Sequence, residues 1–486
     1  MKNQSAATGH LGNLTQDQWD ALGEIWSFLL HLWYSEPSSP SRANPMRPHA
    51  SSDHAAPTPL EATGGDNAPH DASSSPTSPS SPGGHNHSQH ASGGNDMRPA
   101  SPPPTSPTHT GQPSHRASIT SLSTPNSPSN NPYLPGGTTA TAAALKRSAS
   151  NLKSWQPSKK FTFKYSPSEY HTAFWAFTQC EHPDTTVLRF LRARKWNVEK
   201  AMEMLVLALE WRITMGVDEI IKESEEALEA KYPGFLEQLK TGKVIFRGHD
   251  RQGRPLCLLN PGLHFPNAQS EQAVQKLSIY VVETARLLLR PPTEMISVIF
   301  DMSSFSTSNM DWPTAKFFIH AAEACYPELL GVCVMHKAPW IFGALWKIIS
   351  PMLDPVIRAK IQFTSSNKDL VEFVAPDQLM STKAFGGDDT VPYQYKDPVP
   401  GENRLMEEDS AGKERAIAKR KELELTFERL TEIWQGQKQL SSCAAVTQER
   451  NEVGLKLGDA WWAMEPYTRA RTVYHRLGAI HPGPAA

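Results

Sequence analysis

The sequence predicts an α/β protein: an all-helical module, an α/β layer on a mostly parallel five-stranded sheet, a helical C-terminal extension and a long disordered insert. Three observations carry this. Residues 168–241 repeat helix-length apolar patterns with no strand signal among them. Residues 242–380 alternate short β-branched runs with helix-length segments, the mark of layers built on a buried sheet. Residues 35–154 hold too few large apolar groups to offset chain entropy.

The elements follow in order. Residues 14–34 form an amphipathic helix. Thr15 is its N-cap, Gln18 completes a capping box, and Leu14 with Trp19 can staple its entry. Leu22, Ile25, Trp26, Leu29, Leu30 and Trp33 share one face. Such a helix docks on the folded body or lies on a membrane; acids rather than a lysine–arginine row on its polar side favour docking. The insert, 35–154, is rich in serine, proline, glycine and asparagine and carries eight of the 18 histidines. Its Ser-Pro steps at Ser75, Ser78, Ser81, Ser101, Ser106 and Ser127, and Ser150 behind Lys146-Arg147, offer phosphate acceptors to protein kinases.

The helical module, 161–241, divides into 168–179, 184–196, 197–214 with Asn197 as N-cap, 218–229 and 233–240. The α/β unit, 242–390, has strands at 243–248, 255–260, 296–302, 331–336 and 361–365. Its helices are at 270–290, 311–325, 340–350, 355–360 and 367–374. The extension, 404–480, is charged and helical over 404–438 and aromatic-rich over 453–478. Pairing of the extension with 14–34 would bury Trp26, Trp33, Trp461 and Trp462.

Composition narrows the function. Lysine plus arginine number 48 against 50 acids, a net charge of −2, so nothing drives the whole chain toward nucleic acid or anionic membrane. Five cysteines show no metal-ligand spacing, which suits a reducing compartment and no metal site. No run of 18 apolar residues and no basic-then-apolar leader is present. The expectation is a cytoplasmic monomer whose membrane contact is peripheral and transient. No Gly-x-Ser-x-Gly elbow, His-Glu-x-x-His, phosphate loop or paired CxxC occurs, and Asp301 at a strand end has no histidine or nucleophile to join it, so no enzyme and no catalytic residue is expected.

The stretch 326–363 is the most informative. After Tyr326-Pro327-Glu328 and one strand comes a helix-length segment, 340–350, apolar almost all round, closed by Pro351 and Asp354-Pro355. A surface helix normally keeps a polar face. Either this is a central core helix, or it is a wall that meets lipid, the movable lid of a hydrophobic cavity.

Seven short motifs in a characteristic order decide the reading. They are LRFLRARKW at 188–196, Gly253-Arg254-Pro255, Asp301 ending a strand, Tyr326-Pro327-Glu328, Lys337-Ala338-Pro339, Leu353-Asp354-Pro355 and Phe385-Gly386-Gly387. Together, over about residues 165–390, they resemble the CRAL-TRIO lipid-binding family with its N-terminal helical module, in the branch of the fungal phosphatidylinositol transfer proteins. The resemblance implies an α/β/α domain whose sheet floors a deep pocket, a gating helix over its mouth, and a bound phospholipid, phosphatidylinositol, in place of any cofactor. Its partners would be membrane phospholipids and the membrane surface.

It also implies site residues. Arg194, Glu328 and Lys360 would hold the head group. Phe300, Phe305, Phe317, Phe318, Val332, Val334 and Met335 would line the pocket. Trp340, Ile341, Phe342, Leu345, Trp346, Ile349 and Met352 would form the gate. Three positions depart from the family. Ile357 stands where a threonine reaches the head group, and Ile296 and Val298 stand where choline-lipid binders carry serine and threonine. A sterol or other isoprenoid therefore remains an alternative ligand, and a phospho-regulated scaffold with a structural lipid an alternative role. The physics of a carrier is simple. Each acyl CH₂ resists water by about 0.8 kcal/mol, so two long chains carry on the order of 20 kcal/mol. An interior as apolar as the bilayer makes exchange nearly neutral.

Overall fold

The computed structural model describes residues 8–34, 162–436 and 444–481. The insert expected at 35–154, with its Ser-Pro steps, lies outside the described residues. Helices of eight or more residues are α1 (Gln16–Tyr34), α2 (Pro167–Thr178), α3 (Pro183–Ala193), α4 (Val198–Thr214), α5 (Glu271–Leu287), α6 (Trp312–His320), α7 (Phe342–Ile349), α8 (Ser410–Gln435) and α9 (Ala444–Thr468). The strands are β1 (Val244–His249), β2 (Pro255–Leu259), β3 (Ile296–Asp301), β4 (Leu330–His336) and β5 (Ile361–Thr364).

The strands lie side by side in chain order. β1 is antiparallel to β2; β2 through β5 run parallel. The β1–β2 turn is set by Gly253 at φ +78, where a glycine takes the left-handed conformation without strain. The Asp250 carboxylate accepts from the Gln252 and Arg254 backbone amides (2.8 and 2.9 Å) and from Arg254 Nε (2.6 Å). Alternation then sorts the strands' side chains. Leu256, Leu258, Ile299 and Val334 pack on one face with Leu370, Val374, Leu379 and Phe385. On the other face, Cys257 and Ile296 meet α5, Trp461, Trp462 and Tyr474. Cys333 and Met335 meet α7 there.

A second core joins α1, α2, α3, α4, α8 and α9. Of the two readings of the first helix, docking holds. Trp26 is fully buried and its indole Nε1 donates to Asp184 (2.7 Å), while Trp19 meets Trp434 edge-on at 4.7 Å. The predicted capping box is present: Thr15 N donates to Gln18 Oε1 (3.1 Å) and Gln18 N to Thr15 Oγ1 (3.4 Å). The expected pairing of the extension with 14–34 is seen, and all four tryptophans are buried; Trp26 and Trp33 meet α8 and α9 in the α1 core, whereas Trp461 and Trp462 sit under α5, where Arg290 lies over the Trp462 ring at 4.2 Å.

Three helix spans differ. The stretch 218–229 breaks at Ser224, which caps a new helix by accepting from Ala227 N (3.2 Å). The stretch 404–438 breaks at Asp409, which caps α8 through Gly412 N (2.8 Å). The last region begins earlier, at Ala444, and restarts at Thr472, whose side chain caps Val473–Arg476.

Buried charge ties the helices of the described chain together. Glu283 on α5 is fully buried and accepts from Arg212 on α4 (2.9 Å) and from the Tyr326 hydroxyl (2.7 Å). Arg450 on α9 meets Asp184 (2.7 Å) with its guanidinium over the rings of Phe427 and Trp434.

Candidate functional site

The segment between β4 and β5 is the first wall. Lys337 leaves β4 at φ +54, and its ammonium donates to the carbonyls of Lys383 and Ala384 (2.8 and 2.7 Å). The chain then turns off the sheet so that Trp340 stands 91% exposed. Helix α7 turns Phe342, Leu345, Trp346 and Ile349 toward the sheet, the i, i+3, i+4, i+7 spacing of one helical face. Of these only Phe342 is buried; Ile341 is half-buried, and Ile348 and Met352 are exposed. A core helix would be covered on all sides, and this one is not. Its far end is anchored by Leu353, which is buried, and by Asp354 N, which donates to Glu323 (2.6 Å) in the π-helical turn Ala321–Cys325.

The floor is uneven in an informative way. β3 is the central strand, and its Ser297, Ile299 and Asp301 are buried on one face. On the other face Val298 and Phe300 are only half-covered. Helix α6 forms the second wall. It carries Trp312, Phe317, Phe318 and Ile319, yet not one of its residues is buried. Val298 and Phe300 on the central strand, and the whole of α6, thus keep apolar surface that their neighbours do not fully cover, although Phe317 meets Trp211 at 6.0 Å. Phe305 packs against Phe342 (ring centroids 5.9 Å).

Alternation corrects part of the expected lining. Val332 and Val334 lie on the opposite face, with Leu258, Ile299 and Phe385. Their neighbours Cys333 and Met335 face α7 instead, since successive strand side chains point to opposite sides. Burial pushes the Cys333 and Cys257 thiols up to about 12, so both behave as small neutral wall groups. Phe363, absent from the sequence reading, stacks edge-on against Trp346 at 5.2 Å. Strand parity counted from β4 could have found Cys333, and a partner for Trp346 on β5 could have been sought.

The polar end lies where β4 and β5 begin. Glu328 has φ +58, and Arg189 Nη1 donates to its carbonyl (3.0 Å); its carboxylate makes no hydrogen bond or ion pair with the described residues. Lys360 donates to the Leu330 carbonyl (2.8 Å), two residues beyond Glu328. Arg194 ends α3, its guanidinium reaching only the Ala193 carbonyl (3.4 Å). No hydrogen bond or ion pair joins these three to one another. Arg192 is spoken for by Glu294 (2.9 Å) and the Gly9 carbonyl (3.1 Å), and His10 also meets Glu294 (3.1 Å). Of the departing positions, Ile357 and Val298 are half-buried and Ile296 is buried.

Two surface hollows, of about 420 Å³ beside Met215, Tyr232 and Lys276 and about 330 Å³ beside Ser224, Pro398 and Asn403, touch neither α6 nor α7. Among the described residues no group of three His, Cys, Asp or Glu could hold a metal ion, and no helix is long and apolar enough to cross a membrane.

The family model of the CRAL/TRIO domain matches residues 239–387, and that of the CRAL/TRIO N-terminal domain matches 150–207. A CRAL-TRIO domain-containing protein of Schizosaccharomyces pombe is 39% identical over 325 residues, covering 67% of this chain and 72% of that one. The chain belongs to the CRAL-TRIO lipid-binding family. Relatives of this CRAL-TRIO protein include phosphatidylinositol transfer protein CSR1 of Eremothecium gossypii, 35% identical over 309 residues and covering 63% of this chain and 70% of that one. Phosphatidylinositol transfer protein PDR17 of Saccharomyces cerevisiae is 31% identical over 212 residues, covering 42% and 57%. Within the matched domain, β4, α7 and β5 form one continuous crossover, and Lys360 lies on it just before β5.

Proposed function

We propose that this CRAL-TRIO protein transfers phosphatidylinositol between membranes, holding the acyl chains between α6, α7 and the sheet. The half-covered Val298 and Phe300 on the central strand, facing a helix with no buried residue, carry the reading. Apolar surface left bare in water is costly, at about 25 cal/mol per Å², and a lipid tail would cover it. Helix α7 acts as the gate. Its bare apolar residues have a favourable place to go only at a bilayer, so opening is coupled to docking.

Arg194, Glu328 and Lys360 serve the head group. Each has a polar group with few or no side-chain partners, in a region where Arg189 is held by three acceptors and Arg192 by Glu294 and the Gly9 carbonyl. Glu328 accepts from inositol hydroxyls, and Lys360 meets the phosphate as a point charge. The protein acts as a carrier rather than an enzyme, with a lipid ligand in place of a cofactor, and works as a monomer between the cytoplasm and membrane surfaces.

A second reading, a sterol or other isoprenoid ligand, is favoured by the missing hydroxyls at Ile296, Val298 and Ile357. Mass spectrometry of lipid carried by protein purified from its own cell separates the two. Liposome-to-liposome transfer of phosphatidylinositol tests the contacts. Arg194→Ala with Lys360→Ala should slow it, and an unchanged rate removes those residues from the site.

A further inference from the structure

We propose that Arg189 is a positioning residue for head-group choice, holding Glu328 in a conformation that keeps its carboxylate free for the ligand. The inference rests on the head-group reading above. Glutamate at φ +58 is strained, because its Cβ crowds the backbone where glycine would not. Such strain persists only where the surroundings over-determine it. Here they do. Arg189, 4% exposed on α3, donates from Nη1 to the Glu328 carbonyl (3.0 Å) and from Nη2 to the Glu294 carbonyl (2.7 Å) and to the Glu181 carboxylate (2.5 Å). On either side of Glu328, the Tyr326 hydroxyl is held by Glu283 (2.7 Å), and the Leu329 carbonyl accepts from Ile296 N (2.9 Å).

The Glu328 carboxylate makes no hydrogen bond or ion pair with a described residue and is not fully buried; Arg189 and Arg192 act on it only as nearby charges. Glycine would sit here without strain, so a glutamate held in place by a buried arginine is kept for what its carboxylate meets. A guanidinium is needed for the hold. Its planar fork reaches three acceptors in fixed directions, which a lysine ammonium cannot reproduce.

The experiment uses the full chain and phosphatidylcholine vesicles carrying equal traces of phosphatidylinositol and a diacylglycerol with the same acyl chains. The readout is the ratio of the two lipids captured. Arg189→Lys should lower the phosphatidylinositol-to-diacylglycerol ratio roughly tenfold, the worth of one charge-assisted hydrogen bond. Glu328→Gln should do the same, and the double variant should fall no further than the lower single. Parallel loss of both lipids with the ratio intact makes Arg189 a structural tie and overturns the proposal. A ratio that responds to Glu328→Gln but not to Arg189→Lys also overturns it while sparing the head-group reading. A ratio indifferent to Glu328→Gln ends that reading itself. If Arg189→Lys does not fold, Glu181→Gln decides, because it loosens the same guanidinium without removing it: a lowered ratio supports the hold and an unchanged one refutes it.

Discussion

Trp340 and Phe342 are two residues apart and should behave as opposites. Trp340 is 91% exposed and Phe342 6%. A tryptophan side chain presents on the order of 200 Å². At about 25 cal/mol per Å², inserting half of that surface into a bilayer is worth about 2 kcal/mol over alanine, or about 30-fold in partitioning. Trp340→Ala should therefore weaken sedimentation with phosphatidylcholine vesicles by that factor and leave the urea midpoint unchanged. Phe342→Ala removes a ring packed against Phe305 and Trp346 and should cost about 3 kcal/mol of stability, at the lower end of the range because its neighbours are half-covered. If Trp340→Ala lowers the urea midpoint as Phe342→Ala does and leaves vesicle binding intact, α7 is a core helix and the carrier mechanism is wrong.

Other expectations follow from the buried groups. Burial alone would raise the Glu283 carboxyl, but Arg212 and Arg286 outweigh it and hold it at about 2. Because the folded value is depressed, this contribution is present above the usual carboxylate range near 4.5 and is lost as pH falls toward 2; Glu283→Gln should flatten that part of a pH–stability curve. Arg450→Met should cost about 3–5 kcal/mol by stranding Asp184 in the core, measured by urea unfolding, and pairing it with Asp184→Asn should recover much of the loss. Trp26→Ala should cost about 3–5 kcal/mol in the same assay, since its ring is fully buried and its indole bond to Asp184 is lost.

Much of this architecture was legible because local signals agree with the fold. All five strands appear where β-branched runs are bounded by glycine, proline or polar turns, and Asn197 caps its helix as expected, accepting from Lys200 N (2.9 Å). Helix α7 was legible as an apolar stretch too short to span a bilayer. The face of each strand residue was harder. A strand buried on both sides reads as one apolar run, so nothing local told Val332 from Cys333. Helix breaks at Ser224 and Asp409 were hidden because the capping residue sits inside an otherwise periodic stretch. Arg189 was missed for a different reason. Its partner at Glu328 is a backbone carbonyl 139 residues away, and carbonyls leave no trace in residue type.

The placement of α1 has a consequence for the stretch that follows it. Tyr34 closes α1 within the same core that receives α2, and its hydroxyl meets Glu428 on α8. The described residues on either side of 35–161, Tyr34 and helix α2, thus sit in one core. A protease that severs that stretch should release no fragment: the amino-terminal piece stays seated by Trp19, Trp26 and Trp33. A peptide of residues 8–34 should accordingly bind a chain that begins near residue 162, so that the severed protein reassembles from its two parts.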